Sequence, residues 1–407
     1  MKSKTIYFVA GEVSADNHGA ALMSSLRRRD LDLNFIGRGG PQMRAIAGER
    51  FKDWLRDAAV LGLWEVIRRY GYFRKQFRET LKEIQESKPD AVVLIDYPGF
   101  NLRLARALRN RAPAQKIIYY ISPQVWAWNR GRIKKMARFL DLVLCIFPFE
   151  ADLYEKSGLR TVFVGHPMIE RLRARKFDTE RDASLIGLFP GSRMREVRKI
   201  FPVLLEAAAL LLRRNPRLRF EVAAVSDALA AEMSEILDQP RESADRTDSY
   251  RGELSGKDRK VIRIKVGETA AIMQRAFVGI VASGSATLEA AYFRLPFVLI
   301  YKVAWPTYLA ARLVVNVKYL GMPNVLAAKE VVPEFIQHRA KSEAIAKAVW
   351  QLMENADARE RMISEFDAVV GKLGGSGASE RAAQAIIAEL KERRFPDRRG
   401  YKEAALP

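Results

Sequence analysis

LFPGSRMREV, residues 188–197, decides how this chain folds. An apolar run at 184–189 reads as a buried strand, and Pro190, Gly191 and Ser192 read as a turn. An amphipathic helix then runs to about Arg214 and stops at Asn215-Pro216. A glycine turn that opens a helix aims free backbone N–H groups and the positive end of the helix dipole at one spot, which favours phosphate. Arg193 adds a guanidinium fork suited to a diphosphate. The same pattern also describes an ordinary strand–turn–helix connection, and the local sequence leaves both readings open. The stretch lies near mid-chain, where a second nucleotide-binding domain would begin.

Outward from it, both halves alternate strands with helices. Before it, apolar runs at 4–10, 34–37, 90–95, 116–121, 141–146 and 161–164 predict strands, with helices at 18–29, 101–111 and 126–139. After it, strands are predicted at 219–225, 261–266, 278–282 and 297–301, and helices at 342–354, 358–373 and 379–394. Such alternation implies two α/β, doubly wound parallel-sheet domains facing a cleft, with a helical C-terminus. The expected domains are 1–170, 183–340 and a helical 341–407 that packs back on the domains or on a partner subunit. The charged stretch 171–182 reads as the linker, and the polar 240–260 as a mobile surface loop.

At 407 residues, two domains are the default. With 49% hydrophobic and 29% charged residues, the composition is that of a soluble globular protein. The single Cys145 excludes a disulfide framework and a cysteine-rich zinc site, and His18, His166 and His338 are too dispersed to suggest a metal cluster. No secretory signal or spanning helix is expected, so the reading is cytoplasmic or on a membrane surface. The net charge of +21 is spread along the chain and attracts polyanions: nucleic acid, anionic lipid or phosphorylated substrates. There is no P-loop and no Gly-x-Ser-x-Gly turn, and GRGG at 37–40 does not complete a dinucleotide fingerprint.

In doubly wound sheets, ligands sit at the carboxyl ends of strands, and four unusual loops fall there: AGEVSAD (10–16), DYPGF (96–100), SPQVWAW (122–128) and FPFE (147–150). Asp96 ends an apolar strand, where partial desolvation raises a carboxylate's pKa and suits it to proton abstraction; it also reads as an Asp that opens the turn at Pro98-Gly99. Glu12 reads as a cleft residue or a helix-capping acid, and Trp126 and Trp128 as cleft or packing aromatics. In the second half, ASGSATLEAA (282–291) again leaves a strand and enters a helix. Ser283 and Gly284 let a ligand approach the backbone, and Glu289 is placed to accept two ribose hydroxyls or to be a solvated helix-face acid. Between 54 and 78, Leu63, Trp64 and Ile67 at helical spacing, with Arg68, Arg69 and Phe73, describe an interfacial membrane helix; a core-packing amphipathic helix is the other reading.

AGEVSADNHGA, SPQVWAW, FPFE, VGHP (164–167), LFPGSR, ASGSATLEAA, VLIYK (298–302), MPNVLA (322–327) and VVPEFIQ (331–337) together resemble, in order over nearly the whole chain, the bacterial lipid-A-disaccharide synthases. The resemblance implies an inverting, metal-independent glycosyltransferase of the GT-B fold, without a cofactor. It would join UDP-2,3-diacylglucosamine to 2,3-diacylglucosamine 1-phosphate (lipid X) through a β-1,6 bond and release UDP, in lipid A and lipopolysaccharide biosynthesis. Asp96 would be the general base. Gly191, Ser192, Arg193 and Glu196 would hold UDP, with Ser283, Gly284, Thr287, Glu289, Asn324 and Gln337. Glu12, Ser14, Ser122, Gln124 and Trp126 would line the acceptor side. The resemblance also implies a peripheral enzyme on the cytoplasmic face of the inner membrane, able to form a homodimer with exchanged C-terminal elements and with no nucleic-acid partner. Two positions depart from the family pattern: Ala15 where it reads Gly, and Gly99 where it often has a second acid. The competing readings are another GT-B enzyme on a UDP-N-acetylglucosamine-type substrate and a basic nucleic-acid-binding protein.

Overall fold

The computed structural model describes residues 3–30, 32–55, 70–128, 131–239, 254–305, 308 and 317–392. They form two compact units. The first runs to Pro167 and resumes at Leu373; the second is Met168–Lys372.

The first unit opens with β1 (Lys4–Ala10), α1 (Val13–Arg29), β2 (Leu33–Gly39), α2 (Pro41–Ala47), β3 (Phe51–Asp53) and α3 (Tyr70–Ser87). It continues through β4 (Ala91–Ile95), α4 (Pro98–Arg111), β5 (Lys116–Tyr120), α5 (Val125–Trp128), α6 (Gly131–Met136), β6 (Leu142–Cys145), α7 (Pro148–Glu155) and β7 (Thr161–Phe163). The strands pair in parallel in the order β3-β2-β1-β4-β5-β6-β7. Every residue of β4 is buried, as expected of a parallel strand covered on both faces. Tyr7, Val92, Leu94, Ile117, Tyr119 and Val143 join Leu104 and Leu108 of α4 in one core.

The second unit holds α8 (Met168–Arg173), β8 (Asp182–Phe189), α9 (Met194–Arg214), β9 (Arg219–Ala224), α10 (Asp227–Asp238), α11 (Gly256–Arg259), β10 (Ile262–Val266) and α12 (Thr269–Arg275). Then come β11 (Ala276–Ala282), α13 (Ser285–Tyr292), β12 (Phe297–Tyr301), α14 (Met322–Ala327), β13 (Glu334–Ile336), α15 (Ser342–Glu354) and α16 (Ala356–Gly371). Its parallel sheet runs β10-β9-β8-β11-β12-β13. The α/β, doubly wound reading of both halves holds.

Within the first unit a last helix, α17 (Ala378–Lys391), packs on α1. Arg29 meets Glu380 at 3.1 Å, Arg160 meets Glu389 and Glu392 at 2.7 Å each, and Arg381 donates to the Val164 carbonyl at 2.7 Å. The helices after 341 are therefore divided: α15 and α16 belong with the second unit, α17 with the first. The stretch read as a linker is partly helical, because α8 covers 168–173. Strands β3 and β13 were not expected, and α1 begins at Val13 instead of 18. Of the loop expected at 240–260, residues 240–253 lie outside the described residues.

Gly37 sits inside β2 opposite Phe8 with φ +138°. A Cβ there would lie 2.7 Å from the Phe8 backbone nitrogen, which has nowhere to move within the ladder. Gly37→Ala is expected to cost at least ~2 kcal/mol and to lower the melting temperature of the first unit. A calorimetric scan showing an unchanged transition would contradict this.

Candidate active site

In each sheet the order reverses once. β1 and β4 are neighbours whose chains continue to opposite sides, and so are β8 and β11. The loops leaving such a pair diverge and open a crevice at the carboxyl ends. Ala10 pairs with Ile95 across β1 and β4, so Glu12 and Asp96 leave adjacent strand ends. Phe189 pairs with Val281 across β8 and β11, so the Gly191-Ser192-Arg193 turn and the Ser283-Gly284 turn are neighbours likewise.

At the first crevice, Asp96 is half-buried. Burial, and secondarily the charge of Glu12, push its carboxyl up to about 6; a hydrogen bond from the Tyr97 N–H pulls the other way. Glu12 occupies the N-cap position of α1 but makes no capping hydrogen bond, so its charge is spent on the crevice. Asp96 and Tyr97 both have left-handed backbone, with φ 46° and 50°. Such conformations cost residues with a Cβ on the order of 1–3 kcal/mol each. Gly11 permits the turn: a Cβ there would overlap the Tyr97 ring. Trp54 closes the floor, donating its indole N–H to the Ala10 carbonyl at 2.7 Å and packing edge-on to Tyr97.

Ser14 and Gln124 are exposed. Ser122 and Trp126 are not part of an open wall: both are at least 95% buried and both donate to Glu150, at 2.8 Å each. The fully buried Glu150 also accepts the Phe147 N–H at 3.2 Å, and burial raises its carboxyl to about 7. The Trp126 indole N–H is thus committed to a buried carboxylate, which would be costly to leave unpaired.

At the second crevice, Arg193 is the exposed N-cap residue of α9. Glu196 reaches back to the Ser192 N–H at 3.2 Å and to Arg193 at 3.3 Å. Gly191, at φ 117°, leaves the space that this carboxylate fills. Tyr301, at the end of β12, is raised by burial and by Glu196 and lowered by Arg193, which places it beside this turn. Gly284 is open at φ 147° beside half-buried Ser283. Glu289 is bound by Arg171 of α8 at 2.7 Å, so it is no free helix-face acid.

Three of the residues expected at the ligand are hydrogen-bonded within the fold. Thr287 is fully buried and donates its hydroxyl to the Gly284 carbonyl at 2.8 Å. Asn324, also fully buried, accepts the Val331 and Val332 N–H groups at 2.7 and 2.8 Å and donates to the Val332 carbonyl and to Glu334 at 2.9 Å each. Gln337 bonds both backbone groups of Val303, at 3.1 and 2.9 Å. Their amides and hydroxyl are committed inside the fold, where unpaired polar groups would be costly.

Of the expected membrane residues, Leu63, Trp64, Ile67, Arg68 and Arg69 lie outside the described residues; Phe73 lies in α3, half-buried and edge-on to Tyr72. No described helix is long and apolar enough to cross a membrane. Ala15 is buried in α1, whereas Gly99 is exposed with open space where a side chain would project. The sequence reading missed Tyr119 and Asn101 beneath Asp96, Glu150, Tyr301 and Arg171. Glu150 and Tyr301 stand inside quoted motifs, but only the fold shows what they touch.

The lipid-A-disaccharide synthetase family model matches residues 6–387. The chain is 36% identical over 400 residues to the lipid-A-disaccharide synthase of Geobacter metallireducens, covering 96% of this chain and 99% of the relative. It is 37% identical over 396 residues to that of Geobacter sulfurreducens, covering 95% and 98%. Among solved structures it resembles the UDP co-structure of MnaA from S. aureus (TM-score 0.61, 14% identity, 95% and 97% covered). It also resembles the glycotransferase of kitacinnamycin (TM-score 0.58, 15% identity, 96% and 100% covered).

A carboxyl raised to about 6 makes the folded state pay for ionisation. An unfolded Asp ionises near 4, so the penalty is absent below pH ~4, grows between ~4 and 6, and is complete above 6. Asp96→Asn is therefore expected to stabilise the protein at pH 8 by about 1 kcal/mol, or roughly 2–4 °C. The gain should vanish by pH 4 in parallel thermal scans. Equal melting temperatures at pH 8 would contradict it.

Proposed function

The chain belongs to the lipid-A-disaccharide synthetase family, and from that premise we propose how its two crevices divide the work of a glycosyl transfer. The donor is UDP-2,3-diacylglucosamine and the acceptor 2,3-diacylglucosamine 1-phosphate. Asp96 takes the proton of the acceptor 6-hydroxyl while that oxygen attacks C1 of the donor. The C1–O bond to UDP breaks, the anomeric carbon inverts, and UDP leaves with the electron pair. One base suffices for such a direct displacement.

The observation that carries this reading is Asp96 itself: a half-buried carboxyl at a β1–β4 switch point, raised to about 6 beside the Glu12 charge. That value leaves it ionised at neutral pH and still basic enough to accept a proton. In the second unit, Arg193 and the α9 N-terminus face the leaving diphosphate, and Glu196 keeps the guanidinium in place until the donor arrives. Ser283 and Gly284 lie against the donor, and Glu289, oriented by Arg171, takes the ribose hydroxyls. Glu12, with exposed Ser14 and Gln124, borders the acceptor. The +21 charge and the basic, aromatic stretch 54–78 suit a peripheral enzyme that draws acylated substrates from the anionic cytoplasmic face of the inner membrane.

Asp96→Asn is expected to lower kcat by at least ~10³-fold while UDP binds with unchanged affinity in calorimetry. In the wild type, kcat/KM should rise with pH through an acidic limb near 6. Near-normal turnover of Asp96→Asn would remove Asp96 from the role of base.

A further inference from the structure

The turn that carries Asp96 is held against its own backbone preference, and the groups that hold it lie below the crevice. Asn101, fully buried in α4, donates its Nδ2 to the carbonyls of Ile95 at 3.2 Å and of Asp96 at 2.7 Å. Tyr119, fully buried in β5, donates its hydroxyl to the same Asp96 carbonyl at 2.6 Å. The Asp96 N–H donates to the Tyr120 carbonyl at 3.0 Å. The Asn101 Oδ1 is buried and has no hydrogen-bond partner. An orphaned acceptor is costly, so the amide is kept for its two donated bonds at the expense of its own oxygen. Asp96 has local support for its left-handed backbone, since its carboxylate accepts the Tyr97 N–H, but the next residue, Tyr97, is neither a glycine nor an Asn or Asp and has none of its own.

We propose that Asn101 and Tyr119 are positioning residues: by clamping the Asp96 carbonyl from two sides they hold the left-handed turn, and so fix the carboxylate for proton abstraction before substrate arrives. This rests on the reading of Asp96 as the base. Without the clamp the turn relaxes toward an ordinary conformation and the carboxylate moves with it. A displacement of about 1 Å at a reacting group costs on the order of 10²-fold in rate. The carboxylate also gains solvent, which returns its titration toward an ordinary aspartate. Facing it are Glu12 from the β1–α1 connection, which supplies charge, and Tyr119 from β5, which burial keeps protonated; Tyr72 of α3 acts on the neighbouring Tyr97.

Two full-length variants test this. Tyr119→Phe removes one hydroxyl, and Asn101→Leu removes both Nδ2 bonds at similar volume. Tyr119→Phe is expected to lower kcat ~10-fold and Asn101→Leu ~100-fold, with donor KM within about twofold. In both, the acidic limb of the kcat/KM profile should move down from near 6. If Asn101→Leu does not fold, Tyr119→Phe decides alone. A lowered melting temperature with unchanged kcat and an unmoved limb would overturn the proposal, leaving only a structural role. Inactive Asp96→Asn beside fully active clamp variants would overturn the clamp but keep the base; fully active Asp96→Asn would remove both.

Discussion

A parallel sheet whose strand order reverses leaves one place where neighbouring connections run to opposite faces. No helix crosses over that gap, so backbone amides, strand carbonyls and short loops lie open there. Each unit of this chain has one such reversal, β1–β4 and β8–β11, and each crevice holds a different chemistry. The first presents a carboxylate pair, Asp96 and Glu12. The second presents an arginine at a helix N-terminus beside two glycine turns. The proposed division into acceptor and donor units follows from that difference in charge.

The remaining polar groups around the crevices mostly build them. Glu150 binds Ser122, Trp126 and Phe147; Glu334 accepts from the Gly321 N–H at 2.8 Å and from Asn324; Gln337 bonds Val303. Burying such groups is tolerable because each is paired, and the pairing fixes the loops that leave β5, β12 and β13. Asp16 does the same for α2, accepting N–H bonds from Gly40 and Met43 at 2.9 and 3.0 Å. A rigid rim costs stability where it holds a strained turn or an ionised half-buried carboxylate, and those costs fall at Asp96.

The strands and the rim loops were legible because buried parallel strands read as continuous apolar runs and the turns carry Gly and Pro. Strands β3 (Phe-Lys-Asp) and β13 (Glu-Phe-Ile) span three residues each and include charged ones, so unlike the equally short β7 (Thr-Val-Phe) they leave no apolar run to detect. The start of α1 was placed late because Val13–Asp16 reads as loop by composition, whereas Asp16 is buried there by its bonds to α2. The left-handed Asp96-Tyr97 pair was not legible, since no glycine marks it and the groups that bond the Asp96 carbonyl, Asn101 and Tyr119, lie in α4 and β5. Thr287, Asn324 and Gln337 show the converse. Motif membership put them at the ligand, and the fold adds that each also ties down nearby backbone: Thr287 the Gly284 carbonyl, Asn324 the stretch 331–332 and Gln337 both backbone groups of Val303.

The most direct test of the account is a coupled assay for UDP release from UDP-2,3-diacylglucosamine, run with and without 2,3-diacylglucosamine 1-phosphate and with EDTA present. The account requires release that depends on the acceptor and survives EDTA. Release independent of the acceptor, or none despite measurable UDP binding, would contradict it.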